Sequence, residues 1–558
     1  MTTISGKRAF LEILKSEGVD TIFGNPGTTE LPLMDALAVE TGIRYVLGLQ
    51  EAAVVAIADG YAQASGRLTV VNTHVTPGLG NALGMLYDAQ KAASPILITA
   101  GQHDQSFSFT EPILWGDLPV VARPFVKWSS EVPRIEELPR AVRRAAKTAM
   151  ALPTGPVFLS LPGNILQEEA ELDLLQPTRI APRIRPDRQA VEEAARLLAG
   201  SDHPVLIAGD AVAQSGAFAE MVQLAELLGA PVYTESVPSR ATFPATHPLF
   251  AGPIGRLAPL LNATLKEHDL MFSVGGDLFT LSLPSDVDPM PAGLPLIHLD
   301  NDPWEIGKNY PAKVALFGDA RETLREVIQL LIDDMPAARK SKAKQRLAET
   351  RAAIADKLAK LKAKAKKLEG TQPMQPLALL HAIGEALPPE AVVIDETLSS
   401  GTGLRQFLKS DDPQSFYGLR GGGIGWGLPA SIGIKLALPS RPVVALVGDG
   451  SAMYTIQALW TAANSKVPII AVILNNSSYR ILKQRAHNLR GYAAQTGSFV
   501  GMNLVDPPID YVGLARAMGV EGLKAASIAD VVTAITRGLK SATPLLIEAK
   551  LDSALWDA

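Results

Sequence analysis

No cysteine occurs among the 558 residues. That single absence excludes disulfide scaffolds, iron–sulfur clusters, cysteine-ligated zinc and cysteine nucleophiles. Charge of one sign is not in large excess either: 52 Lys and Arg against 57 Asp and Glu leave −5, which gives no reason to expect a polyanionic partner. No stretch approaches the roughly 20 uncharged apolar residues of a membrane helix. The first residues, MTTISGK, carry no basic region followed by an apolar run, so no signal peptide is expected. The 46 glycines and 41 prolines have no period, which excludes collagen-like and low-complexity chains. What is present is a 47% hydrophobic chain able to bury several cores, and its length suggests three or four domains. The expectation is a soluble, cytoplasmic α/β protein.

Short β-branched apolar runs alternate with amphipathic stretches, the rhythm of parallel sheets covered by helices. The first third reads helix 6–17, strand 21–24, helix 30–39, strand 45–47, helix 53–65 and strand 68–72, and continues to a strand at 156–161. A proline-bearing polar stretch at 176–187 reads as a linker, and a second α/β unit follows. Residues 339–367 hold twelve Lys and Arg but only Glu349 and Asp356, so the segment is +10 and the remainder −15. Leu347, Ile354, Leu358, Leu361 and Leu368 recur there at helical spacing, as in an amphipathic helix packed by one face. Without stacking aromatics beside the charge, a connecting helix is favoured over a nucleic-acid arm. A third α/β unit runs from Pro373 to the end.

The strongest chemical signal lies in that third unit. A strand over 442–447 leads into Gly448-Asp449-Gly450-Ser451, a helix is expected over 453–464, and the next strand, 468–474, ends in Asn475-Asn476-Ser477-Ser478. Glycines flanking an acid after a parallel strand let backbone N–H groups approach an anion. Both Asp449 and Asn476 fall at carboxyl ends of strands, where open α/β sheets bind ligands. A carboxylate, an amide oxygen and the Ser478 carbonyl are the hard oxygen donors that Mg²⁺ or Ca²⁺ takes beside a diphosphate. Gly-Asp-Gly alone could be an ordinary tight turn; its pairing with Asn-Asn 27 residues on argues against that.

With these motifs the chain resembles the thiamine-diphosphate-dependent enzymes that include 2-oxo acid decarboxylases and acetolactate synthases, and most of all the benzoylformate decarboxylases. The resemblance runs through FGNPGTTELP (23–32), LQEAAVVAIADGYAQASG (49–66), NTHVTPGLGNALG (72–84) and GDGSAMYTIQALWTAA (448–463). It implies three doubly wound parallel-sheet domains: an aminopyrimidine-binding domain over 1–180, a middle domain over 188–335 and a diphosphate- and metal-binding domain over 373–558, with a basic helical linker at 336–372. It implies thiamine diphosphate with Mg²⁺ (or Ca²⁺), and a cofactor lying across a subunit interface, hence a homodimer at least and commonly a homotetramer.

Residue roles follow from the same resemblance. Glu51 matches the carboxylate that hydrogen-bonds the pyrimidine ring; its apolar flanks suit it to share a proton, whereas on spacing alone a helix-dipole role would be preferred. His74 matches an active-site histidine that delivers a proton, and Thr28 stands where the benzoylformate decarboxylases have a substrate-contacting serine. Gly422 and Ile424 match the segment against the aminopyrimidine, with Ile424 holding the cofactor bent. Ser399, Gly450, Ser451 and Tyr454 match diphosphate contacts, Ser399 with packing as an equal alternative. Gly78, Gly80 and Gly84 miss the dinucleotide spacing, so NAD is not expected. The middle unit shows no phosphate-binding glycine loop, so FAD is not expected either, and His298 reads as structural.

Two departures bear on substrate. The middle-domain stretch 275–286 lacks the second histidine of the benzoylformate decarboxylases, and Ser282 falls nearest its place. Ile481 and Arg485 stand where those enzymes have a small residue and an aromatic one; Ile481 crowds a bulky aryl group, while Arg485 either pairs with an anionic group or is a surface arginine. The leading reading is non-oxidative decarboxylation of a small-molecule 2-oxo acid to an aldehyde. A carboligase or lyase of acetolactate-synthase or 2-hydroxyacyl type stays open.

Overall fold

The computed structural model describes residues 2–279, 281, 283–409 and 411–555; Ser282 therefore lies outside the described residues. Three parallel sheets of six strands carry the chain. In the N-terminal sheet the neighbours run Arg44–Leu47, Thr21–Gly24, Thr69–Thr73, Ile96–Gln102, Val157–Pro162 and Ser129–Glu131, all in parallel. The middle sheet runs Phe250–Pro253, Val232–Thr234, Pro204–Ala208, Leu270–Val274, Leu296–Asp300 and Val314–Phe317. The third includes Val392–Glu396, Val443–Gly448, Ile470–Asn475, Leu545–Lys550 and Glu521–Ala525 side by side, with Phe416–Gly418 its sixth strand. Their central strands are buried along their whole length, which is why they read as continuous apolar runs rather than alternating ones.

The chain divides into two compact units, one around the N-terminal and third sheets and one around the middle sheet and the long helix Ala337–Lys367. Within the first unit, helix Glu51–Ser65 packs on helix Gly427–Ala437 at a backbone-to-backbone approach. A Cβ on Gly433 would stand 1.8 Å from the Ile57 carbonyl oxygen, and one on Gly60 2.3 Å from that of Ala430. At the centre of this contact Asp59 accepts hydrogen bonds from Gln63 Nε2 (3.1 Å) and Trp426 Nε1 (2.6 Å). In the second unit, His298 is buried with both ring nitrogens taken, Nε2 by the Gly276 carbonyl and Nδ1 by the Gly307 N–H. Among the described residues no helix is long and apolar enough to cross a membrane.

The sequence differs from the structure in two informative places. A short strand, Thr2–Ser5, precedes the first helix and pairs antiparallel with Glu169–Leu172, a long-range contact that local pattern does not announce. The continuous helix expected over 453–464 is instead Asp449–Ala452 followed, after a turn, by Ala458–Asn464. The break has a tertiary cause: Thr455 Oγ1 donates to the Gly425 carbonyl at 2.6 Å, and a Cβ on Gly425 would lie 2.5 Å from Tyr454 Cβ. Docking on the 420–427 loop overrides the helical pattern.

Candidate active site

The carboxyl ends of the N-terminal strands gather one cluster. Glu51 opens its helix, 5% exposed, with Asn25 Nδ2 donating to Oε1 at 3.1 Å and Asn81 Nδ2 to Oε2 at 3.0 Å. No cation neutralises the carboxylate among these partners, and each oxygen retains a lone pair for a further donor. His74 follows strand Thr69–Thr73 and is half-buried. Two glycines let these side chains converge: a Cβ on Gly78 would lie 2.9 Å from His74 Cβ and 3.0 Å from Glu51 Oε1, and one on Gly27 would overlap the His74 ring. Gly78 lies inside helix Thr76–Lys91, so its packing explains the glycine without a nucleotide loop.

Glu30 is the organising residue that the motifs did not single out. It is 1% exposed. Its Oε2 accepts from the Gly27 N–H (2.8 Å) and binds His74 Nδ1 (2.9 Å); Oε1 accepts from the Gly101 N–H (2.6 Å) and Thr29 Oγ1 (2.8 Å). A carboxylate partner places the proton of a neutral imidazole on Nδ1 and leaves Nε2 as the exchanging nitrogen. A buried glutamate in a Thr-Thr-Glu turn was the available signal, but only the fold shows that it reaches both His74 and the strand end at Gly101. Thr28 lies exposed in the same 3₁₀ turn, Thr28–Glu30.

The second cluster forms at the carboxyl ends of the third sheet. Asp449 is 2% exposed, and its Oδ2 is buried without a hydrogen-bond partner. Burial pushes its carboxyl up to about 6, against the opposing effect of backbone N–H groups at Gly450, Asn476 and Ser478. Asn476 Oδ1 accepts from Ser478 Oγ at 2.8 Å, and both residues are buried beside Asp449. Asn475 shapes this turn, its Oδ1 accepting from the Ser477 N–H (2.9 Å) while its Nδ2 donates to Glu548 Oε1 (2.7 Å). Gly450 underlies the Tyr479 ring, which a Cβ would approach to 2.5 Å, and Tyr511 OH donates to the Asp449 carbonyl at 2.9 Å. Ser451 is buried here, while the Tyr454 side chain is 56% exposed. Ser399 meets Arg480, whose NH2 donates to the Ser399 carbonyl at 2.8 Å. Ile481 and Arg485, one helical turn apart on Arg480–Asn488, are both half-buried.

The loop bearing Gly422 and Ile424 hangs between two buried acids. The Gly423 N–H donates to Asp88 Oδ1 at 3.0 Å, and the N–H groups of Gly425 and Gly427 both donate to Glu396 at 2.5 Å. Burial raises Asp88 to about 8 and Glu396 to about 7. Gly422 has φ +86°, a backbone state that favours glycine. The hydrogen-bond partners of Glu51 and those of Asp449 are different residues, so the chain carries two distinct clusters.

An unpartnered buried carboxylate oxygen at Asp449, in a turn that also buries the Asn476 amide, suits a hard divalent cation. Among the described residues no group of three His, Cys, Asp or Glu offers an alternative metal site. The Glu51 pocket, with a buried carboxylate and open lone pairs, fits a heterocyclic N–H donor.

Residues 4–111 match the thiamine pyrophosphate enzyme N-terminal TPP binding domain, 191–327 the central domain and 399–549 the C-terminal TPP binding domain. The chain belongs to the thiamine pyrophosphate enzyme family. It is 34% identical to benzoylformate decarboxylase of Pseudomonas aeruginosa, over 97% of each chain. It is 29% identical to a probable acetolactate synthase large subunit of Methanocaldococcus jannaschii, over 99% of this chain and 92% of that one. Among solved structures, the thiamine diphosphate-dependent 4-hydroxybenzoylformate decarboxylase of Rhodococcus jostii superposes with TM-score 0.87 at 32% identity, covering 99% of this chain and all of that one.

Proposed function

We propose that this chain is a thiamine-diphosphate- and divalent-metal-dependent decarboxylase that converts a 2-oxo acid to an aldehyde and carbon dioxide. The observation that carries the reading is the His74–Glu30 pair set beside Glu51. When bound, thiamine diphosphate supplies the electron sink that makes loss of carbon dioxide feasible. The protein's own part is to hold protons and charges at defined atoms. In this reading Glu51, free of a cationic partner, holds a proton against the aminopyrimidine. His74, oriented through Nδ1 by Glu30, delivers one through Nε2 to the product, and Thr28 hydrogen-bonds the substrate carboxylate. Asp449 and Asn476, with the Ser478 carbonyl, bind Mg²⁺ or Ca²⁺. Ser399, Gly450, Ser451 and Tyr454 contact the diphosphate, and Gly422 and Ile424 the ring. Ile481 restricts pocket size, and Arg485 faces an anionic substrate group.

The resemblance to benzoylformate decarboxylases favours release of a free aldehyde. The missing histidine in 275–286 supports the second reading, carboligation, since slower protonation leaves time for an acceptor to react. We further propose that the Glu51 and Asp449 clusters are half-sites, each completed by a second copy, in a homodimer at least and a homotetramer in the full assembly. Purified enzyme with thiamine diphosphate and Mg²⁺ is assayed on short, aryl and acidic 2-oxo acids, with and without an aldehyde acceptor. Carbon dioxide and free aldehyde formed without acceptor are expected; turnover that starts only on adding an acceptor would overturn decarboxylation in favour of carboligation.

A further inference from the structure

The unit around the middle sheet contains a cavity of about 810 Å³ that lies at the amino ends of its strands. This is the edge away from the carboxyl ends at which α/β sheets ordinarily bind ligands. Its volume falls in the range of about 300–1,000 Å³ that suits small organic molecules. The floor includes Tyr233 and Phe250, and Phe407 forms part of the wall. The roof is the middle of helix Ala337–Lys367.

That helix is seated at both ends. Near its start, Arg346 donates to the carbonyls of Leu228 (2.8 Å) and Asp202 (2.7 Å), Thr350 Oγ1 donates to the Gly229 carbonyl (3.0 Å), and Leu347 packs on the middle core. Near its end Ala365 is fully buried and Lys362 pairs with Glu385 at 3.5 Å. One stripe joins these anchors: Leu347, Arg351, Ile354, Leu358, Leu361 and Ala365, spaced alternately by four and three residues. The end members of the stripe are packed, whereas Ile354, Leu358 and Leu361 line the void. Apolar side chains at positions that elsewhere in the stripe meet protein here meet empty space.

Arg351 puts a cation where the stripe would otherwise carry a hydrophobe. Its NH2 pairs with Glu226 at 2.8 Å, while its Nε is buried without a hydrogen-bond partner. Lys357, exposed and also at the cavity, has no ion-pair partner among the described residues. Of the acids at the cavity, Glu385 serves both Lys362 (3.5 Å) and Lys409 (3.4 Å), Glu349 accepts from Gln345 (2.8 Å) and Glu267 is exposed. The lining carries five Lys and Arg (Arg346, Arg351, Lys357, Lys362 and Lys409) against three Glu (Glu267, Glu349 and Glu385), so the cavity is complementary to a ligand with one anionic end and an apolar body. A slot with a floor and a roof suits a small molecule better than a flat protein face, which needs about 1,000 Å² of contact.

We propose that this cavity binds an apolar carboxylic acid, its carboxylate on Arg351 and Lys357 and its hydrocarbon along Ile354, Leu358 and Leu361, as a ligand site separate from the two half-sites above. The test is calorimetric titration of the full-length, thiamine-diphosphate-saturated protein with octanoate and phenylacetate, and with octanamide as the neutral analogue. Saturable binding of at least one acid, one per chain, is expected. Arg351→Met should weaken the acid at least tenfold while leaving octanamide within twofold. Leu358→Trp, which fills the void, should abolish binding of both with an unchanged or higher unfolding temperature. Should Leu358→Trp misfold, Ile354→Phe tests the same space. No binding at millimolar concentration, or binding that survives cavity filling, would overturn the proposal. So would an unchanged acid-to-amide ratio in Arg351→Met, or a change of oligomeric state on filling the cavity, which would assign the slot to a second copy.

Discussion

Replacing Glu30 by glutamine changes one atom and one charge, yet the geometry leaves the amide no comfortable orientation. Both carboxylate oxygens face a backbone N–H, from Gly27 on one side (2.8 Å) and Gly101 on the other (2.6 Å). Either way round, the new NH₂ meets one of these donors and leaves a buried N–H unsatisfied, at about 1–3 kcal/mol. Loss of the charge-assisted bonds from the other donors adds roughly 1 kcal/mol. With NH₂ toward Gly27, His74 Nδ1 must also become an acceptor, which moves the ring proton to Nε2. The sum of about 2–4 kcal/mol corresponds to a rise of about 30- to 1,000-fold in local amide exchange. Exchange mass spectrometry on peptides spanning 24–31 and 97–103 reads this directly. Alongside it, turnover should fall while Mg²⁺-dependent cofactor binding persists. Unchanged protection in both peptides would refute the inference that Glu30 bridges the His74 loop to the sheet.

Glu51→Gln should nearly abolish turnover and keep some cofactor binding by titration; full activity would refute the proton-holding role. The Asp88 carboxyl titrates near 8 in the fold against an ordinary 3.8, so the folded state holds the extra proton between those values and stability falls as pH rises through them. Asp88→Asn should flatten that part of the stability–pH curve, measured by urea unfolding from pH 5 to 8.5; an unaltered slope would count against it. On the proposed function Mg²⁺ meets an ionised Asp449, so its affinity, measured by calorimetry with thiamine diphosphate, should rise with pH up to about 6 and then level. A flat profile from pH 5 to 7.5 would argue for another ligand set. Gly433→Ala would drive a methyl group into the Ile57 carbonyl and should lower the unfolding temperature of soluble protein or prevent its accumulation, whereas Gly491→Ala, with open space around it, should not.

By itself the sequence determined the parallel-sheet architecture and the family. Parallel strands buried on both faces must be short continuous apolar runs, and helices between them must be amphipathic, so strands such as 204–208 or 468–474 can be read without a structure, the second lying at Ile470–Asn475 in the fold. Gly-Asp-Gly and Asn-Asn are local for the same reason: on the proposed function, a cation and a phosphate at adjacent strand ends would be met by residues a few positions past each strand. What the sequence could not show are interactions between residues far apart along the chain. The reach of Glu30 to Gly101, the suspension of 420–427 between Asp88 and Glu396, and the broken helix after Ala452 each depend on which surfaces meet in space. The basic stretch near 339–367 divides along the same line. Its helical stripe is visible in the sequence, but only the tertiary structure decides that the two ends are packed and the middle roofs a cavity, because burial depends on the distance to the sheet beneath and not on the residue itself.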